Sequence, residues 1–304
     1  MDAHVVSSLP KLLITGANGF TGNHACSHFA KAGFKVIAVV RNHAPADLFQ
    51  TEICDLTNKK AVTEMIKKVK PQYLLHLAGQ NHVGESWVDP VSSLEANFLS
   101  TLYLIEALRH ENPSCKIIVV GSALQFNPRE ISTLKHPYSL SKTLQVLIAQ
   151  SWAELYKLPI IIAKPSNLIG PGISNGVCSI FAKKIVAMEE GRTEKKLEVN
   201  NMYAQRDFID VRDVVRAYEI LFNKGQAGEV YDIVSGRSHS LEEVIKSFAS
   251  FTNINFKIIT LSQSKKEQPI KANPLKLKNL GWNPIIPFKN SILGTLEFYR
   301  GKNS

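Results

Sequence analysis

A short apolar run, Leu12-Leu13-Ile14-Thr15, ends directly in Gly16-Ala17-Asn18-Gly19-Phe20-Thr21-Gly22, three glycines three residues apart, and a helix-period segment follows to about residue 32. Few backbones accept that order. It asks for a buried strand, a turn too tight for a side chain, and a helix packed back against the strand. Free N–H groups at such a helix N-terminus attract anions, and the middle glycine lets backbone approach a pyrophosphate. The spacing therefore predicts a dinucleotide-binding β-α-β start, with Gly16, Asn18, Gly19, Phe20 and Gly22 around the phosphates.

The rest of the first half agrees. Apolar β-branched runs at 35–40, about 51–54, 73–77, 116–121, 160–163 and 230–233 alternate with helical segments at 59–69, 91–109 and 138–156. That alternation is the pattern of an α/β fold with a doubly wound parallel sheet. Beyond Pro165 the rhythm changes to longer helices at 176–190, 211–223, 241–251 and 288–299, separated by lysine- and asparagine-rich loops. The expectation is a Rossmann domain of 1–165 plus about 204–236, and a smaller C-terminal α/β substrate-binding lobe of about 166–203 plus 237–304.

Composition narrows the class. With 44% hydrophobic residues in 304, the chain has ample core and is not disordered. No apolar run approaches ~20 residues, and the N-terminus lacks a basic-then-apolar leader, so a soluble cytoplasmic protein without membrane contact is expected. Cys26, Cys54, Cys115 and Cys178 lie far apart, which fits isolated buried thiols. His24 and His28 are one helical turn apart without a third ligand at metal spacing, so no metal is expected. The net charge of +10 favours an anionic partner. Its lysine pairs carry no interleaved aromatics, which points to a phosphorylated small molecule and away from nucleic acid.

Two further positions bear on the cofactor. After the second strand comes Val39-Val40-Arg41-Asn42, where a carboxylate for a ribose 2′-hydroxyl ordinarily lies. Arg41 suits a 2′-phosphate instead, giving NADP(H) over NAD(H). Asp55-Leu56, after the third strand, places a carboxylate near the adenine amino group or caps the next helix; both readings stand. Leu77-Ala78-Gly79, ending the fourth strand, should lie beneath the cofactor.

Tyr138 and Lys142 lie one turn apart on one helix face. A phenol ordinarily holds its proton to about pH 10, and a neighbouring ammonium is expected to bring that value toward neutrality. Ser122, in Val120-Gly121-Ser122-Ala123, falls at a strand's carboxyl edge, where it would hold a carbonyl oxygen beside Tyr138. Arg206 is the candidate for a substrate pyrophosphate, since a guanidinium fits phosphate oxygens bidentately. A salt bridge to Asp207 or Asp210 is its structural alternative. Asn167 binds the same diphosphate or pins the turn before Gly170-Pro171-Gly172. His82, in a loop after the fourth strand, is the candidate hexose contact.

On these residues the chain resembles the extended short-chain dehydrogenases/reductases that act on nucleotide sugars. The matching stretches are Thr15 to Gly22, Asp55-Leu56, His76 to Gly79, Asn97, Ser122, Tyr138 to Lys142, Asn167 to Gly172 and Arg206 to Asp213. The resemblance implies a Ser122, Tyr138 and Lys142 triad, with Tyr138 and Lys142 also touching the cofactor and Asn97 supporting the helix below. It also implies a homodimer through helices in 91–109 and 138–156. Relatives that dehydrate the sugar carry acidic residues just after the catalytic serine or threonine; here Ala123 and Leu124 stand there. Within the group the chain looks most like GDP-4-keto-6-deoxymannose reductases, through Glu85-Ser86-Trp87 and Gly281-Trp282-Asn283-Pro284 among others. It departs from them at Lys164-Pro165, at Phe126-Asn127, and at Lys265-Lys266 where relatives bring a second arginine. A UDP-linked 4-keto-6-deoxy-N-acetylhexosamine 4-reductase and an NAD-dependent 4-epimerase are the alternatives.

Overall fold

The computed structural model describes residues 9–42, 49–261, 266–269 and 273–301. Lys265 lies outside them. By its contacts the chain divides into two compact units, Met1–Ala163 with Tyr218–Val230, and Lys164–Ala217 with Tyr231–Ser304. The segment that returns to the first unit is thus shorter than the expected 204–236.

The seven runs read as strands from sequence form one seven-stranded sheet. They are β1 (Lys11–Thr15), β2 (Lys35–Val40), β3 (Gln50–Ile53), β4 (Tyr73–His76), β5 (Lys116–Val120), β6 (Ile160–Pro165) and, later in the chain, Val230–Ile233. β1 pairs in parallel with β2 and β4, β2 with β3, β4 with β5 and β5 with β6. From β1 the chain winds one way through β2 and β3, and from β4 the other way through β5 and β6. The reversal between β1 and β4 leaves a crevice at their carboxyl ends, the ligand side of such sheets.

Helices of the first unit are α1 (Phe20–Lys31), α2 (Lys59–Val69), α3 (Val83–Val88), α4 (Pro90–Leu94), α5 (Ser100–Glu111) and α6 (Pro137–Tyr156). Alternate strand residues Leu13, Ile37, Leu74, Ile117 and Ile160 bury against Val62 and Ile66 of α2, Leu104 of α5 and Ala149 of α6. On α1, Phe29 meets Phe222 edge to face, with centroids 5.7 Å apart. The single helix expected over 91–109 is a correction. Asp89 accepts from Ser92 N and Pro90 follows at the first helical position, so a new helix starts there. A π-helical stretch, Glu95–Leu99, then centres on buried Asn97 before α5 begins.

In the second unit, β7 (Asn167–Ile169), β8 (Lys196–Val199) and β9 (Gln205–Asp210) alternate with α7 (Val177–Glu189) and α8 (Val211–Lys224), and α8 runs on into the first unit. Counting Val230–Ile233 as β10, there follow β11 (Ser238–Ser240), α9 (Leu241–Ala249), β12 (Lys257–Thr260), α10 (Leu275–Lys278) and α11 (Phe288–Gly301). β11, β9 and β7 form a small mixed sheet, and β12 pairs in parallel with β8. Ser240 and Glu243 close a capping box at the start of α9. Phe181, Ile185, Phe248, Ile292 and Leu296 fill this unit's core.

Candidate active site at the strand ends

The glycine loop follows β1 into the reversal point. Gly16 takes a left-handed φ of +67°, and a Cβ there would lie 2.8 Å from the Ala78 backbone nitrogen. A Cβ on Gly22 would lie 2.1 Å from Gly16 O. Both positions therefore exclude any other residue. Gly19 caps α1 by backbone alone, donating its N–H to Gly16 O at 2.9 Å. Asn18 and Gly19 are exposed on this loop, and Phe20 is half-buried against His24. A cradle that only glycine fills, opening at a helix N-terminus, fits a dinucleotide pyrophosphate. Arg41 stands exposed at the end of β2, and buried Leu56 follows β3. Asp55 accepts from Thr57 N and Oγ1 in a turn, while Asn58 caps α2. The cap reading of Asp55 is thus corrected.

Behind the loop lies a buried polar chain that sequence reasoning missed. Thr15 Oγ1 accepts from Leu77 N and Ala78 N, both at 3.1 Å, so its proton goes to His76 Nδ1 at 2.8 Å. His76 Nε2 then donates to Thr101 Oγ1, which also takes a bond from Gln145 Nε2 and donates to Asn97 O. Hydrogen bonding alone fixes the neutral tautomer, and burial pushes the His76 pKa down to about 3, with Lys142 adding to it. Asn97 Nδ2 reaches Ser141 Oγ and Gln80 O, which carries the network into α6. The only sequence signal was a histidine and two threonines at apolar positions.

Tyr138 and Lys142 share a face of α6, both buried. Lys142 Nζ donates to Val120 O at 2.8 Å, and burial brings its pKa down to about 7. The Tyr138 phenol is pushed up by burial; a hydrogen bond with Ser122 pulls the other way and does not prevail. In place of the expected lowering by its lysine, burial is the largest influence on the phenol and acts upward. Ser122 Oγ accepts from Leu124 N at 3.0 Å and hydrogen-bonds the Tyr138 phenol, which brings the two hydroxyls together. Leu77, Ala78 and Gly79 follow β4 beside this group.

His82 Nδ1 accepts from Glu85 N at 3.1 Å and caps α3. In the second unit, Asn167 Nδ2 donates to Asp207 O, pinning β7 to β9. Arg206 pairs with Glu267 at 3.0 Å, not with Asp207 or Asp210. Those aspartates are buried clamps: Asp207 takes bonds from Ser166, Ser235 and Gly236, and Asp210 from Arg212 and Ser291. Asp213 likewise accepts from Ile285 N and Ile286 N.

A doubly wound sheet with a glycine cradle at its reversal and a Ser-Tyr-Lys group on the adjacent strand and helix defines an NAD(P)-dependent oxidoreductase of the short-chain dehydrogenase/reductase type. Residues 12–234 match the NAD dependent epimerase/dehydratase family, and the chain belongs to that family. Its relatives modify nucleotide sugars. GDP-6-deoxy-D-mannose reductase of Pseudomonas aeruginosa is 28% identical over 96% of this chain and 98% of that protein. Human dTDP-D-glucose 4,6-dehydratase is 26% identical over 95% and 90%. Among solved structures, RMD from Pseudomonas aeruginosa complexed with NADPH superposes with a TM-score of 0.83 at 27% identity, covering 96% of this chain and 99% of that one.

Proposed function

We propose that the chain is an NADPH-dependent reductase of a nucleotide-linked 4-keto-6-deoxyhexose, with GDP-4-keto-6-deoxy-D-mannose reduced to GDP-D-rhamnose. The carrying observation is at Ser122: the residues that follow it, Ala123 and Leu124, are exposed and bear no carboxylate for C6 elimination. Likeness to the Pseudomonas reductase over nearly both full lengths supports the substrate, and its NADPH-bound neighbour supports the cofactor.

Gly16, Asn18, Gly19, Phe20 and Gly22 would hold the dinucleotide phosphates, Arg41 the 2′-phosphate, Asp55 and Leu56 the adenine side, and Leu77, Ala78, Gly79 and Lys142 the nicotinamide side. When bound, the reduced nicotinamide supplies the hydride. Ser122, which hydrogen-bonds Tyr138, would turn its hydroxyl to the substrate carbonyl oxygen when substrate binds, and Tyr138 would deliver a proton to that oxygen. The phenol is protonated at neutral pH, the form from which an acid must start in the reducing direction. His82, Asn167 and Arg206 are assigned to the sugar nucleotide. The same reading includes a cytoplasmic location and a homodimer through the outer helices of the first unit.

Incubation with NADPH and 4-keto-6-deoxy GDP- or UDP-sugars should consume the nicotinamide absorbance and yield a 4-hydroxyl, more slowly with NADH. Tyr138→Phe should lower kcat by about 10²–10⁴. A flat trace with both sugars rejects the proposal, and interconversion of sugars without added dinucleotide gives the epimerase instead.

A further inference from the structure

We propose that His136 is a positioning residue for Tyr138, its neutral imidazole fixing the first turn of the helix that carries the phenol. The turnover arm of this inference rests on the reductase reading; the exchange arm does not.

The N–H groups that open α6 can be followed one by one. Pro137, at the first position, has none. Tyr138 N donates to Ser86 Oγ of α3 at 3.1 Å, and Ser139 N is shared between His136 Nδ1 and His136 O, both at 3.0 Å. Ser139 Oγ closes back onto His136 O at 2.8 Å. The His136 ring also stacks on the Tyr138 ring, with centroids 6.0 Å apart and planes at 28°. One side chain thus holds the turn and walls the phenol.

Helices are usually capped by Ser, Thr, Asp or Asn; serine, threonine and asparagine stay neutral and asparate-type caps strengthen when charged. An imidazole cap behaves otherwise. To accept from Ser139 N, Nδ1 must keep its lone pair, and protonation would turn it into a donor facing a donor at the positive end of the helix dipole. Burial holds His136 below the ordinary imidazole value, and neighbouring Lys135 adds to this. On the elements packed against α6, Glu85 bonds Gln80, Asp89 bonds Ser92, Glu106 pairs with Arg109 and Glu111 with Lys67, and Glu95 lies on the π-helical stretch. The cap is therefore intact at neutral pH and fails on acidification.

Three substitutions in the full-length protein separate the two contacts: H136N keeps a cap without the ring, H136F a ring without the cap, H136A neither. H136A and H136F should lose about tenfold or more in kcat, with KM for NADPH changed less than about twofold, because the glycine loop is untouched. H136N should recover most of that loss. Wild-type kcat should fall on acidification more steeply than that of H136N, the excess being the imidazole's share, since Lys142 titrates in both. Hydrogen exchange across the start of α6, compared between wild type and H136N from about pH 7 to pH 5.5, should show the wild type loosening as pH falls. This measurement needs no turnover, so it reads out even if the sugar assignment fails. Wild-type kcat in H136A, or identical acid limbs and exchange in wild type and H136N, overturns the proposal.

Discussion

Lys142 donates to the Val120 carbonyl from a buried position, and desolvation lowers its pKa from 10.5 to about 7. Between those values the unfolded chain binds the proton and the folded chain does not, so this residue makes stability rise with pH from about 7 to 10.5. Below about 7 both states are protonated, and the folded state bears the full cost of the enclosed charge. Lys142→Met should therefore unfold at higher urea than wild type at pH 6, by about 1–2 kcal/mol. The gain should shrink toward pH 10, and turnover should be lost throughout. A variant weaker than wild type at pH 6 would mean that the bond to Val120 outweighs the buried charge. Sequence showed Tyr138 and Lys142 on one face because helical spacing fixes that, but not that burial, rather than their mutual charge, sets the phenol. Nor did it show the partners of Arg206, Asn167 and His82, since each is set by a backbone or a distant loop that local pattern does not encode.

At the scale of elements, one hydroxyl joins two strands at the crevice. Thr15 at the end of β1 serves Leu77 N, Ala78 N and His76 Nδ1 beyond β4. Replacing it by isosteric valine leaves two donors and one acceptor without their partner, each costing about 1–3 kcal/mol where buried. Thr15→Val should lose about 2–4 kcal/mol in urea unfolding and weaken dinucleotide binding, while Thr15→Ser keeps the bonds and loses less. Equal loss in both variants would assign the effect to the missing methyl. The parallel sheet itself was legible, because strands buried on both faces read as continuous β-branched runs. β7, β9 and β11 were not: Gln205–Asp210 carries four polar residues among six, and its Asp207 and Asp210 are clamps between strands and loops. β8 alternates as Lys196-Leu197-Glu198-Val199 and β12 is exposed at all four positions, so neither gives the continuous buried run that marked four-residue β4.

For the whole molecule, assembly turns on what α6 leaves outside. Its inner face buries Val146, Ala149 and Ala153, while Leu147, Ser151 and Leu155 follow four apart on the outer face, with Leu155 68% exposed. Arg109 of α5 lies 4.6 Å over the ring of Tyr156, so a cation from the neighbouring helix borders the stripe. Apolar residues at helical spacing facing water, with a small serine between them, suit close approach of a second helix. A two-fold axis lets one such face cover its own copy. The net charge of +10 opposes such pairing at long range, so the proposed homodimer should tighten with added salt. Light scattering should give twice the 33.8 kDa chain mass, and Leu147→Glu with Leu155→Glu should give the single mass, with circular dichroism and NADPH binding retained. Each carboxylate would have to be buried opposite its own symmetry copy, a like-charge pairing that costs several kcal/mol, far more than leaving the face in water. A wild-type protein that stays at single mass up to about 100 μM, a concentration at which a standard-sized interface is saturated, would place these leucines outside any dimer contact.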